Sequence, residues 1–213
     1  MATETVRGQR VVIHFDGTRC IHSRNCVLHH PDVFVPNVEG DWIHPDAVAP
    51  EEVALIARMC PSGAIRYERL DGGAQEPLPV VNLVHLRENG PLAFNAPLQI
   101  AGKDQGLRAT LCRCGLSKHK PFCDNSHAEG RFIASGERLP KESQPLAARD
   151  GPLAVEPQKN GPLKVTGNLE IVSGTGHTLD RVTEAWLCRC GQSKNKPYCD
   201  GSHRTVGFEA DGA

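Results

Sequence analysis

The sequence predicts an α+β fold: one small mixed unit, then two mainly-β units. Three observations carry that expectation. Nine cysteines fall into three groups of three, the second and third groups are near-copies of each other, and the one clear helical pattern lies within the first 70 residues. Composition agrees. Of 213 residues only 5% are aromatic and 39% hydrophobic, while Gly and Pro number 21 and 16. That is thin for one large core and suits small, loop-rich units held by staples other than apolar burial.

Along the first segment, VVIHF at 11–15 reads as a strand. Residues 46–60, DAVAPEEVALIARMC, read as a helix with Pro50 near its start and Glu51 and Glu52 in its first turn. Val53, Ile56, Ala57 and Cys60 fall on one face of it. AIRY at 64–67 is a closing strand, and DGGAQEPLP at 71–79 is linker by its turn-forming composition. The expected segments are 1–70, 80–140 and 150–213.

The remainder is a duplication. Residues 112–127 read CRCGLSKHKPFCDNSH and residues 188–203 read CRCGQSKNKPYCDGSH. An offset of 76 relates Cys112 to Cys188, Cys114 to Cys190, Cys123 to Cys199 and His127 to His203. The same offset relates Ser117 to Ser193, Pro121 to Pro197 and Phe132 to Phe208. Each copy has a lead-in, NGPLAFNAPLQI at 89–100 and NGPLKVTGNLEI at 160–171. Asn-Gly-Pro is turn chemistry, and the alternation after it suits a half-buried strand. The second lead-in is longer, and SGTGHT is the expected site of a wider hairpin turn.

The start, MATETVRGQR, has no apolar run behind a basic tip, and no apolar run approaches the length of a membrane span. Neither a secretory signal nor a span is expected, and the expected setting is cytoplasmic. Lys plus Arg at 24 against Asp plus Glu at 25 leaves no electrostatic footprint for nucleic acid or an anionic membrane. In such a chain clustered cysteines point to metal before disulfides. Thiolate and imidazole are soft to borderline ligands that suit zinc or iron–sulfur. Zinc fingers usually hold their first pair as C-x2-4-C. A C-x-C pair fits two thiolates on one iron, with the Cys123–His127 pair on another.

The pattern C-x-C-x2-S-x3-P-x-C-D-x-S-H resembles the signature of the CDGSH iron–sulfur (mitoNEET-like) family. The second copy spells CDGSH at 199–203; the first has Asn125 in the glycine place, a residue that tolerates positive φ. The resemblance implies one [2Fe–2S] cluster on Cys112, Cys114, Cys123 and His127, and another on Cys188, Cys190, Cys199 and His203. A zinc site on the same residues is the alternative. Because such clusters come in pairs, one per subunit of a dimer, two copies in one chain imply a monomer with an internal pseudo-twofold, a pseudo-dimer folded from 80–213. A neutral imidazole in place of a thiolate removes negative charge, raising the reduction potential and making it pH-dependent. Protonation of His127 or His203 is expected to loosen the cluster. Asp124 and Asp200 are expected N-caps of short histidine-bearing helices, and Lys118, Lys120, Lys194 and Lys196 are expected at the solvated surface.

The first group reads CIHSRNC at 20–26 with CPSGAI at 60–65. Bacterial ferredoxins carry C-x2-C-x2-C and a distant Cys-Pro; here Ser23 stands in the middle position. With PDVF at 31–34 and WIHPDA at 42–47, the stretch from Phe15 to Tyr67 resembles divergent mono-cluster ferredoxin domains. That implies a small ferredoxin-like α+β unit. Three thiolates, Cys20, Cys26 and Cys60, suit a [3Fe–4S] cluster. A [4Fe–4S] cluster is the alternative, with His22, Ser23 or water as fourth ligand. No catalytic dyad, phosphate loop or nucleotide fingerprint is visible, so no catalytic residue is assigned and no enzyme is expected. The expected role is one-electron transfer with a redox partner protein. Cluster delivery or storage with an acceptor protein, and redox or pH sensing, are the alternatives.

Overall fold

Strand β1 (Thr3–Arg7) is a mostly exposed edge that carries no buried alternation, and the sequence reading passed over it. It pairs antiparallel with β2 (Val11–Asp16), whose Val11, Val12, Ile13 and Phe15 are buried. A short helix α1 (Asn25–His29) follows, then α2 (Pro50–Met59) and β3 (Ile65–Arg69), which completes an antiparallel sheet in the order β1-β2-β3. This computed structural model describes residues 3–212; Met1, Ala2 and Ala213, the ends of the expected first and last segments, lie outside them.

The helix expected over 46–60 is shorter. Pro45–Ala47 forms a separate 3-10 turn, and Ala49 is extended (φ −64°, ψ 145°). Pro50 forces this, because the proline ring disfavours helical backbone in the residue before it. Pro50 then sits in the first turn, where its missing N–H costs nothing. Val53, Ile56 and Ala57 are buried against Val11, Ile13, Phe15 and Ile65, and these form the core of a unit spanning Met1–Pro77.

The second compact unit, Leu78–Ala213, contains both copies of the repeat. The first copy supplies β4 (Leu83–Leu86), β5 (Leu92–Asn95), β6 (Leu98–Ile100), β7 (Lys103–Asp104), β8 (Arg108–Leu111) and helix α3 (Ser126–Glu129). The second supplies β9 (Leu153–Pro157), β10 (Leu163–Val172), β11 (Thr178–Leu187) and a 3-10 turn at Ser202–Arg204. The lead-ins differ: the first is split into β5 and β6, while the second runs on as β10 with a bulge between Thr166 and Leu169. SGTGHT closes the β10–β11 hairpin, with the Ser173 N–H donating to the His177 carbonyl at 2.8 Å.

The sheet order is β7-β6-β9-β10-β4-β5-β8, with β11 also on β10. Strands β9 and β10 of the second copy therefore lie between two groups of strands of the first. β4 lies antiparallel to β5 of its own copy and parallel to β10 of the other. β9 lies antiparallel to β10 of its own copy and parallel to β6 of the other. One apolar core, including Phe94, Leu98, Leu111, Leu153, Leu163 and Leu187, draws on both copies. The chain is mostly β with few helices, and no helix among the described residues is long and apolar enough to cross a membrane.

Candidate metal centres

In each copy the final strand delivers the first cysteine. β8 ends at Leu111 and β11 at Leu187, so Cys112 and Cys188 are the next residues. The chain then loops out and returns to pair with the same strand, through Leu111 with Phe122 and Leu187 with Tyr198. The Cys123 N–H donates to the Thr110 carbonyl at 2.9 Å and the Cys199 N–H to the Trp186 carbonyl at 2.8 Å. Inside the loop the Ser117 hydroxyl donates to the Phe122 carbonyl at 2.6 Å and accepts the His119 N–H at 3.0 Å. Ser193 does the same with Tyr198 and Asn195 at 2.6 and 3.0 Å.

The donors come together as pairs. Cys112 and Cys114 sulfurs are 3.7 Å apart, and Cys188 and Cys190 are 3.8 Å apart. Nδ1 of His127 is 3.4 Å from the Cys123 sulfur, and Nδ1 of His203 is 3.4 Å from that of Cys199. Two thiolates about 2.3 Å from one tetrahedral metal stand about 3.8 Å apart, and a thiolate and an imidazole nitrogen about 3.6 Å apart. Each pair therefore has the reach of one metal. Among the described residues, no three Cys, His, Asp or Glu side chains converge as a single ion would require. Two metals with a pair of protein ligands each fit this donor set.

Backbone donors and burial act in opposite directions on the loop sulfurs. Backbone N–H groups of Leu116, Gln192, Asn125 and Gly201 point at the sulfurs of Cys114, Cys190, Cys123 and Cys199 at 3.4–3.5 Å. The hydrogen bond from Cys114 pulls Cys112 down to about 6, and the same contact together with burial pushes Cys114 up. Burial pushes Cys123 up to about 12 against the Asn125 N–H, and raises Cys190 against the Gln192 N–H. Burial lowers His127, opposed by Asp124, so its imidazole is biased to the neutral, ligating form. Metal binding displaces the protons that burial otherwise retains on the thiols.

Asn125 takes the left-handed conformation its place demands (φ 71°), as does Gly201 (φ 86°). These two residues, not the aspartates, are the caps of the histidine-bearing turns. Asp124 and Asp200 stand one residue earlier. Each carboxylate accepts the N–H two residues on, from Ser126 and Ser202, and the N–H of Lys118 and Lys194 across the loop. Burial of Asp124 is outweighed by these donors and the Ser126 hydroxyl, which hold it at about 2; Ser202 and the Lys194 N–H hold Asp200 low. Lys120 and Lys196 are not merely solvated, since their ammonium groups donate to the Ser117 and Ser193 carbonyls at 2.5 and 2.6 Å.

In the first unit, Cys20, Cys26 and Cys60 line one cavity of about 430 Å³ together with His22, Ser23 and Trp42. Cys60 follows α2 directly, and its sulfur lies 3.6 Å from the Ser62 hydroxyl. Asn25 ties α1 to the end of α2 through the Met59 carbonyl at 3.1 Å. Residues His22 (φ 54°) and Arg24 (φ 63°) wrap the ligand loop tightly in left-handed conformations. Burial raises Cys20 and Cys26, and each also feels the Cys60 thiol. His22 and Ser23 are exposed.

Sequence reasoning missed Arg113 and Arg189, the residues between the paired cysteines, each 1% exposed. An arginine at the centre of both C-x-C motifs was the signal available. It also missed Gly115 and Gly191. A Cβ on Gly115 would fall 2.5 Å from the Cys190 carbonyl oxygen, and one on Gly191 would collide with that of Cys114. The two ligand loops therefore meet backbone to backbone.

Paired thiolate and imidazole donors in the second unit and three thiols around one cavity in the first define an iron–sulfur protein. Comparison with known families agrees. The family described as iron-binding zinc finger, CDGSH type, matches residues 76–128 and 160–204, and the divergent 4Fe-4S mono-cluster family matches residues 6–70. The chain belongs to the CDGSH-type iron-binding family, as two copies joined to a divergent 4Fe-4S mono-cluster domain. It is also similar to the uncharacterized protein YjdI of Escherichia coli (strain K12) and of Escherichia coli O157:H7. Each is 36% identical over 61 residues, 28% of this chain and 78% of the relative.

Proposed function

We propose that the protein is a one-electron carrier holding two [2Fe–2S] clusters and one ferredoxin-type cluster, and not an enzyme. The single observation that supports the paired clusters is the donor geometry: two pairs per site, each with the reach of one tetrahedral metal. Cys112, Cys114, Cys123 and His127 hold the first cluster, and Cys188, Cys190, Cys199 and His203 the second. The reciprocal pairing of β4 with β10 and β9 with β6 supports a pseudo-dimer within one monomeric chain. For the first unit, read as ferredoxin-type α+β, the matching family is a 4Fe-4S one. We therefore replace the expected [3Fe–4S] cluster with [4Fe–4S] on Cys20, Cys26 and Cys60. Bound clusters supply a reversible one-electron couple. The residues around them aim backbone N–H groups at the sulfurs, and burial biases His127 to the neutral form. The partner is a redox protein, with no nucleic acid or membrane involved, in a cytoplasmic setting.

Iron and acid-labile sulfide per chain, with EPR of oxidised and dithionite-reduced protein, test this. The reading expects about eight iron and eight sulfide and signals only after reduction. Zinc without sulfide refutes it, and an EPR signal from the oxidised protein restores [3Fe–4S]. One observation favours cluster delivery as a second reading: Cys199 and His203 line an open cavity of about 910 Å³ with Trp186. Transfer of iron and sulfide to an apo-acceptor, slowed by His203→Cys, would favour it.

A further inference from the structure

Arg113 is almost fully buried, yet its hydrogen-bond partners are all neutral. Nε donates to the Gly90 carbonyl at 3.0 Å, Nη1 to Ser135 at 3.2 Å, and Nη2 to Arg87 at 2.5 Å and Ala134 at 3.2 Å. Its guanidinium carbon lies 5.6 Å from the centre of the Phe132 ring. Arg189 repeats the cage. Its donors reach the carbonyls of Gly161, Asp211 and Gln158 at 3.0, 3.0 and 2.6 Å, with Phe208 at 5.5 Å. Carbonyls satisfy the N–H groups but do not cancel the charge. A buried guanidinium whose hydrogen bonds go only to carbonyls is costly, and this chain carries two at matching positions.

The negative charge the two arginines have in common is the clusters' own; Arg189 also feels the Asp211 carboxylate. Three thiolates and a neutral imidazole around two ferric ions and two sulfides leave a net negative charge, and reduction adds another. Each arginine sits between two cysteine ligands of its own site. The contact of Gly115 with the Cys190 backbone and of Gly191 with that of Cys114 brings each loop against the other's ligands. The thiols that raise Arg113 against its burial are Cys188, from the other copy, and Cys114. For Arg189 the thiol is Cys112, again from the other copy, with the Asp211 carboxylate beside it. A guanidinium stays protonated at neutral pH.

We propose that Arg113 and Arg189 are shared counter-charges, each raising the reduction potential of both [2Fe–2S] clusters and so coupling the two. The proposal rests on the cluster reading above. Iron and sulfide content of the wild-type chain tests that reading separately, and its failure there is a different result from the one that follows.

In a His127→Cys background the first cluster is all-thiolate and has its own EPR signature, so the two potentials can be followed in one dithionite titration. Arg113→Gln keeps hydrogen-bond donors and loses the charge; Arg113→Lys keeps the charge. The expected result is a fall in both potentials with Gln, largely restored by Lys, and the same from the mirror pair at Arg189. A shift confined to the first cluster, or no shift with both clusters retained, overturns the proposal. If Gln costs clusters, loss at both sites that Lys restores supports it. Loss at the first site alone, or equal loss with Lys in a chain folded by circular dichroism, shows that the cage matters by its packing and overturns it.

Discussion

Replacing Gly191 by alanine isolates the contact on which the second unit's architecture turns. Gly191 has φ 79°, which for an L-residue costs roughly 1–2 kcal/mol. The new methyl would also run into the Cys114 carbonyl, and backbone has no rotamer with which to yield. Overpacking of this kind adds roughly 1–3 kcal/mol. Gly176 is the control: it has φ 93° in the same unit, and a Cβ there meets nothing within 4 Å. Gly176→Ala is expected to cost only the conformational part. For a unit of this size 1 kcal/mol moves the midpoint by roughly 3–4 °C. Gly191→Ala should therefore melt about 3–12 °C below Gly176→Ala. Thermal scans by far-UV circular dichroism, at one fixed rate because unfolding with cluster loss is irreversible, make the comparison. Equal midpoints would refute the close approach of the two loops.

Glu170, 3% exposed at its side chain, pairs with Arg149 at 2.6 Å and Arg181 at 3.7 Å, and the Arg149 hydrogen bond holds its pKa below the usual range. A lowered carboxylate pKa stabilises above the unfolded value and loses that contribution as pH falls through the folded one. Glu170→Gln should cost about 1.5–3 kcal/mol at pH 7, and urea melts should show the gap closing below about pH 4.5. Ser117→Ala strips a buried hydroxyl from the Phe122 carbonyl and the His119 N–H. It should lower apparent stability by about 1–3 kcal/mol and speed bleaching of the first cluster's visible absorbance, with Ser193→Ala acting on the second. Chelating the iron should release residues 20–30, because α1 buries no residue of its own, while β2 and α2 hold their core. Hydrogen exchange should quicken at 20–30 and barely change at 53–57; uniform protection loss would contradict this.

Much of the candidate site was legible because ligand chemistry is local. The spacing C-x-C-x8-C-x3-H limits which donors can share a metal before any tertiary contact is known, and both loops bring those donors together in pairs. The glycine position held by Asn125 was legible for the same reason, since positive φ narrows the choice of residue. Partnering across the chain was not legible. Nothing in NGPLAF says that β5 runs beside β8 and β4, and nothing in LAVEP says that β9 lies against β6. Strand pairing is set by which apolar faces meet, and Leu92, Ala93 and Phe94 are all buried where alternation had suggested one wet face. Helix boundaries failed where one residue outvoted a pattern, at Ala49 before Pro50. Arg113 was hidden because a charge beside metal-binding loops reads as surface until its burial is seen.

The strand exchange between copies has a consequence for how the fold can be divided. Cutting the connection near 141–152 would not yield two independent halves, because β4 and β9 each need a neighbour from the other copy. A lone copy would bare a strand edge and half an apolar core, and the remedy open to it is to associate with another of its kind. Fusion makes that encounter a first-order event. The pairing no longer depends on how many molecules the cell contains, and each copy becomes free to drift in sequence so long as its sibling drifts to suit.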